Sequence, residues 1–181
     1  MTEGKLQWHP AFVAALHIEF ENELDVLEIK SEHLLGKKPL QIDVLVIKKA
    51  EDTPIRKNIG QIFRKYNIIE YKSPEDSLNI NDFYKVYAYA CLYQSDTEHV
   101  CAIRPDELTI TFVCSHYPRK MLKQLKAGRS LAVARKSNGI YYLTGDEFPI
   151  QLIIANRLPK EENYWLQNLR NDLKPGSEIQ S

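Results

Sequence analysis

The sequence has few cysteines, few glycines and no excess of charge of either sign. Its three cysteines are an odd number without a Cys-x-x-Cys pair, so they indicate neither a disulfide framework nor a zinc ribbon. Seven glycines and nine prolines in 181 residues exclude a collagen-like or low-complexity chain. The 24 basic and 24 acidic side chains cancel, which excludes a protein that coats nucleic acid by bulk charge.

Long apolar runs are also missing. No stretch approaches the roughly 20 apolar residues that span a bilayer, and residues 1–10 lack the basic start and apolar run of a secretory signal. We therefore expect a cytoplasmic protein with no membrane partner. A Gly-rich phosphate loop, a dinucleotide fingerprint and a nucleophile elbow are absent too, which excludes the commonest nucleotide-dependent enzymes and disfavours acyl transfer.

Hydrophobic periodicity predicts an α/β chain. Asn79 and Asp82 have the spacing of a capping box at the start of one helix, and Ser137-Asn138-Gly139 is a strong hairpin signal. Gly128 is expected to end a short basic helix. The predicted helices are 9–22, 80–94, 118–126 and 161–171, and the predicted strands are 24–34, 40–47, 67–72, 108–115, 131–135, 140–144 and 150–155.

Three ionisable residues occupy strand positions that are usually apolar. Asp43 shares a strand face with Leu45 and Ile47, and the period of two places Glu70 and Lys72 on one face of the next strand. Carboxylates on two adjacent strands can converge on a divalent cation, with the carbonyl of Tyr71 and waters completing the shell. Such a cation polarises a phosphodiester and lowers the pKa of a bound water, which Lys72 could orient.

The order of elements and these residues resemble the PD-(D/E)XK nuclease superfamily, the restriction-endonuclease-like fold. The segment 68–74, Ile-Ile-Glu-Tyr-Lys-Ser-Pro, is most similar to the transposase-associated branch and its uncharacterised bacterial relatives. The resemblance implies a core of helix, three strands, helix and strand, in which a mixed sheet is flanked by helices and followed by a hairpin and helix extension. It covers about 9–115 of a single domain 1–172, with the extension at about 116–172 and a mobile tail at 173–181.

The resemblance also implies a Mg²⁺- or Mn²⁺-dependent endodeoxyribonuclease. Asp43 and Glu70 would bind the metal with the Tyr71 carbonyl, Lys72 would assist the attacking water, and Glu19 on the first helix is a further catalytic and metal-ligand candidate. Glu23 and Glu28 compete with Glu19 for that role. Ile42 stands where many members carry a proline, a departure common in the superfamily.

Basic residues are candidates for DNA contact. The stretch 119–136 holds seven lysines and arginines and no acid, which could follow a phosphate backbone or be an ordinary solvated face. We expect contacts from Lys85, Arg119, Lys120 and Lys123. A homodimer would suit the cutting of two strands, but nothing in the sequence shows one.

Two other interpretations stay open. The chain could be a catalytically inactive member of the same fold that binds DNA or a protein, in which case Asp43 and Glu70 should lie apart or be capped by Arg or Lys. It could also be a globular domain with a chance motif, in which case the helix 80–94 should not pack beside the strand 67–72.

Overall fold

A computed structural model of the protein describes residues 13, 14, 18, 21–23, 25, 27–29, 40–50 and 52–167. The chain divides into two compact units, Met1–Pro39 and Leu40–Ser181. In the first unit, residues 13, 14 and 18 are helical, as predicted, and Glu21–Glu23 form a 3-10 turn. Residues 25 and 27–29, which fall in the predicted strand 24–34, are a turn and irregular chain. The rest of that segment and the predicted tail 173–181 lie outside the described residues.

The second unit is built on a six-stranded mixed sheet. Its spatial order is β1-β2-β3-β6-β5-β4, with β2, β3 and β6 parallel and the other pairings antiparallel. The strands are β1 (Val44–Ile47), β2 (Tyr66–Tyr71), β3 (Leu108–Cys114), β4 (Ala132–Ser137), β5 (Ile140–Thr144) and β6 (Ile150–Ile154), and the helices are α1 (Ile80–Ser95), α2 (Arg119–Arg129) and α3 (Tyr164–Gln167). The predicted α/β class with a mixed sheet is confirmed.

The predicted C-terminal extension contributes three of the six strands, β4, β5 and β6, to this sheet. β6 pairs in parallel with β3, so it lies between the core strand β3 and the hairpin formed by β4 and β5. All five residues of β6 are buried. The sheet is therefore continuous across the predicted boundary at about 116, because an apolar strand such as β6 needs neighbours on both edges and cover on both faces.

Helix α1 connects the parallel strands β2 and β3. Its capping box is present: the Asn79 side chain accepts from the backbone N–H of Asp82 at 3.1 Å, and Asp82 Oδ2 accepts from the backbone N–H of Asn79 at 3.0 Å. The helix packs on the sheet through Phe83, whose ring stacks on Phe112 of β3 at a centroid distance of 5.8 Å. The cap thus begins the helix after the connection 72–79 that follows the carboxyl end of β2.

The predicted end of α2 is wrong. The helix continues through Gly128 to Arg129, and Ser130 adopts the left-handed conformation with φ of 56°. Arg129 holds this last turn in place, because its Nη2 atom lies 2.6 Å from Oδ2 of Asp146 and its guanidinium lies 4.4 Å from the ring centroid of Tyr87. Tertiary contacts of Arg129 outweigh the tendency of Gly128 to end a helix.

Candidate metal centre

Two carboxylates from neighbouring strands meet at the carboxyl end of β2. Val44 lies opposite Ile69 in the antiparallel β1–β2 pair, so the same register places Asp43, just before β1, opposite Glu70. Asp43 Oδ2 accepts the backbone N–H of Tyr71 at 3.1 Å and thereby takes the role of a strand carbonyl. Opposite residues of an antiparallel pair project to the same face. The predicted convergence of Asp43 and Glu70 is therefore present.

Glu70 is an unusual carboxylate because it is buried beside another carboxylate. Its side chain is only 8% exposed. Burial raises the pKa of Glu70, the hydrogen bond from Lys85 lowers it, and the charge and hydrogen bonding of Asp43 raise it again, so that the net shift is upward. Two like charges at such a place favour either a shared proton or a bound cation.

Two lysines form ion pairs between the β2 segment and α1: the helix lysine pairs with a strand carboxylate, and the lysine after the strand pairs with a helix carboxylate. Lys85 Nζ of α1 lies 3.1 Å from Glu70 Oε1, and Lys72 Nζ lies 3.0 Å from Asp82 Oδ1. The Lys85 side chain is 45% exposed, whereas the Lys72 side chain is 23% exposed. Lys85, predicted as a DNA contact, is thus an ion-pair partner of the candidate metal ligand, and α1 packs beside β2.

The pairing of Asp82 with Lys72 is the contact that sequence reasoning missed. One carboxylate oxygen of Asp82 completes the capping box and the other holds Lys72. The capping spacing identified the first role. The second role requires knowing that α1 starts near the end of β2, and the only signal available was that Asp82 follows Lys72 by ten residues.

The oxygen donors available suit a hard divalent cation. The N–H of Tyr71 points toward Asp43, and because the N–H and C=O of one strand residue face the same neighbour, its carbonyl faces that side too. Among the described residues, no group of three or more His, Cys, Asp or Glu side chains could hold a metal. Glu19, the predicted further ligand, lies outside the described residues, so the described donors are two carboxylates and one carbonyl.

The predicted DNA-contacting residues of α2 lie at the same end of the sheet. Arg119 and Lys120 open the helix that follows β3, and they are exposed, as is Lys123 one turn later. The loops after β2 and β3 touch, since Nε2 of His116 lies 3.1 Å from the carbonyl oxygen of Pro74. Parallel β2 and β3 therefore carry Lys72 and Arg119 to one edge.

Comparisons with protein-family models, curated proteins and solved structures gave no match to this chain. Within the described part of the chain, no helix has the length and apolar character needed to cross a membrane. The geometry of the site itself must therefore carry any functional assignment.

Proposed function

We propose that this protein is a divalent-metal-dependent nuclease that hydrolyses DNA phosphodiester bonds on a restriction-endonuclease-like core. The observation that carries the proposal is the meeting of Asp43 and Glu70 at the carboxyl end of a parallel strand pair, beside two lysines. Ligands of open α/β sheets bind outside the carboxyl ends of the strands. The cytoplasmic location and the homodimer considered in the sequence analysis are parts of the same proposal.

The donors fit Mg²⁺ or Mn²⁺. Mg²⁺ is commonly held by one or two carboxylates while waters and substrate phosphates fill the remaining positions. Asp43 and Glu70 would supply the carboxylates, and Tyr71 its carbonyl. When bound, the cation would polarise the phosphoryl group and lower the pKa of an attacking water. Its charge would also relieve the unfavourable proximity of the two carboxylates.

The two lysines have different roles in this proposal. Asp82 holds the Lys72 ammonium at the rim of the site, where it can stabilise the charge that develops on a scissile phosphate. Lys85 neutralises Glu70 in the absence of a cation. Because its ammonium is carried on a flexible four-carbon stem and its side chain is 45% exposed, Lys85 can leave Glu70 and pair with a phosphate when the carboxylate is engaged elsewhere.

A non-catalytic DNA-binding or protein-interaction module is the second candidate. The Lys85–Glu70 ion pair favours it, because a lysine that caps a carboxylate satisfies that group without a metal. The two candidates differ in whether a divalent cation displaces Lys85 from Glu70.

Cleavage of supercoiled plasmid DNA tests the nuclease proposal. We expect wild-type protein to nick the plasmid with Mg²⁺ or Mn²⁺ and not with EDTA, and we expect Asp43→Asn and Lys72→Met to lose this activity while keeping their circular dichroism spectra. Glu75→Gln, an exposed carboxylate in the loop after β2, is the matched control and should cleave normally. Intact plasmid with wild type under both metals, but with DNA binding retained, would favour the non-catalytic module.

A further inference from the structure

A pair of arginines shares one aromatic ring near the candidate metal centre. Cζ of Arg119 lies 5.8 Å and Cζ of Arg157 lies 5.3 Å from the ring centroid of Tyr117. Tyr117 in turn meets Tyr141 edge-on at 5.2 Å, and Arg157 Nη1 donates to the Tyr141 hydroxyl at 3.1 Å. Both tyrosines pack against the main hydrophobic core. The rings are therefore fixed, and they in turn position the guanidinium groups.

The charge of this pair is not compensated within the described residues. Neither Arg119 nor Arg157 forms an ion pair with a described carboxylate, although both are exposed at the surface. Two guanidinium groups within 6 Å of one ring centroid repel each other. Lys120 adds a third positive charge in the first turn of α2, where the helix dipole disfavours cations. Such uncompensated repulsion between positive charges is typical of a surface that binds an anion.

The arginine pair lies on the same edge and the same face of the sheet as Glu70. Tyr117 follows the carboxyl end of β3, and Tyr141 of β5 lies opposite Leu152 of β6. β3 and β5 are one and three strands away from β2, which corresponds to about 5 to 15 Å. Along the axis of a DNA duplex, this separation between the strands corresponds to about two to four nucleotides of one DNA strand.

We propose that Arg119 and Arg157, seated on Tyr117 and Tyr141, form a phosphate clamp that binds the DNA backbone beside the Asp43–Glu70 centre. Guanidinium groups bind phosphate oxygens in bidentate geometry, and the rings fix their planes at little cost in side-chain entropy. The identity of the polyanion rests on the proposed function. The clamp itself is a binding site whose operation does not require a metal or cleavage.

Fluorescence anisotropy with a labelled DNA duplex in EDTA tests the clamp without any cleavage. We expect Arg119→Ala/Arg157→Ala to weaken binding about tenfold and to reduce the slope of log K against log salt by about two, since two phosphate contacts are lost. Arg119→Lys/Arg157→Lys keeps the charge but not the planar guanidinium, so its affinity for DNA should fall between that of wild type and that of the alanine double variant. It also provides a variant that folds if the alanine pair does not.

The control is Arg64→Ala/Arg104→Ala, which removes the same number of positive charges near the opposite, amino ends of β2 and β3, where Arg104 is ion-paired with Asp106 and Glu107. Its binding should stay within about twofold of wild type. Equal weakening by the two alanine pairs, or an unchanged salt slope in the clamp variant, would overturn the clamp. The nuclease proposal fails separately, through absence of metal-dependent cleavage, so a clamp that binds DNA in an inactive protein is a distinguishable result.

Discussion

The ammonium of Lys85 on α1 lies 3.1 Å from Oε1 of Glu70 on β2, so the most buried carboxylate of the candidate site is held by a lysine whose side chain is about half exposed. This pair contributes little to the free energy of folding because the Lys85 side chain is about half exposed to solvent. It joins the helix to the strand at the place where a cation would compete with the lysine. The pair therefore links the stability of the metal-free protein to its affinity for metal.

Replacing Lys85 should separate these two properties. We expect Lys85→Met to lower the free energy of unfolding by about 1 kcal/mol, because Glu70 loses its counter-charge. The same change should tighten binding of Mn²⁺, measured by calorimetry, because no ammonium competes for the carboxylate. Lys126→Met, on the exposed face of α2, should change neither quantity. Weaker Mn²⁺ binding by Lys85→Met would show that the lysine supports the site rather than competing with a cation.

Replacing Glu70 should stabilise the metal-free protein at neutral pH. Its folded-state pKa is raised above 4.5, chiefly by burial, so the stability that Glu70 contributes is complete below pH 4.5 and is lost as pH rises through the folded pKa. Gln imitates the protonated form at every pH. We expect Glu70→Gln to raise the Tm by about 2 to 4 °C at pH 7 in EDTA, with the difference vanishing near pH 4.

The exposed Glu75→Gln is the reference for that measurement, and its Tm should change by less than about 1 °C. A Tm of Glu70→Gln below that of wild type at pH 7 would mean that the ion pair with Lys85 outweighs burial and the proximity of Asp43.

The acid limb of the stability curve should depend on Asp146. Burial alone would raise its pKa, but hydrogen bonds from Arg129 and Tyr87 outweigh burial and hold the pKa of Asp146 below 3.8. Its contribution is present above pH 3.8 and is lost as pH falls through the folded pKa. Asp146→Asn should cost about 2 to 3 kcal/mol at neutral pH and should flatten the fall in stability below pH 4.

Urea unfolding of wild type and Asp146→Asn across this pH range measures both effects. The exposed Asp52→Asn should follow wild type throughout. Parallel curves for wild type and Asp146→Asn below pH 4 would contradict the assignment of the acid limb to this cluster.

Two glycines should respond to alanine in opposite directions. Gly139 has φ of +76°, and a Cβ there would lie 2.8 Å from the backbone nitrogen of Leu158, so Gly139→Ala should destabilise the protein by about 2 kcal/mol or more. Gly128 lies inside α2, and a Cβ there would have no atom of the described residues within 4 Å outside its own helix, so Gly128→Ala should stabilise the protein by up to about 1 kcal/mol. Thermal unfolding of both variants checks the pair. Destabilisation by Gly128→Ala would contradict a continuous helix through that residue.

The sequence predicted the local features well because each has a local cause. The spacing of Asn79 and Asp82 predicted the start of α1, and Gly139 marked the β4–β5 hairpin through its positive φ. Strand β3 was predicted by its alternation, but both of its faces are buried. On its polar face the buried Thr109 hydroxyl donates to Asn67 Oδ1 of the neighbouring strand β2 at 2.5 Å, a pairing that only the sheet order creates.

The parts that could not be predicted depend on distant residues. The end of α2 is decided by Asp146, seventeen residues beyond Arg129. The partner of Lys72 depends on where α1 begins. Arg119 shares the Tyr117 ring with Arg157, which lies in the turn after β6. The sequence predicted which strand face Asp43 and Glu70 occupy, because the alternation of side chains is a property of short segments. That the two residues lie opposite each other depends on the register of β1 and β2, which only the fold provides.

Calorimetric titration with Mn²⁺ is the most direct test of the central claim, that Asp43 and Glu70 together form one divalent-cation site. We expect wild-type protein, stripped of metal with EDTA, to bind one Mn²⁺ per chain, and we expect both Asp43→Asn and Glu70→Gln to weaken that binding at least about tenfold. Asp52→Asn should bind as wild type does. Absence of binding by the wild type, or equal binding by wild type and Asp43→Asn, would contradict the claim.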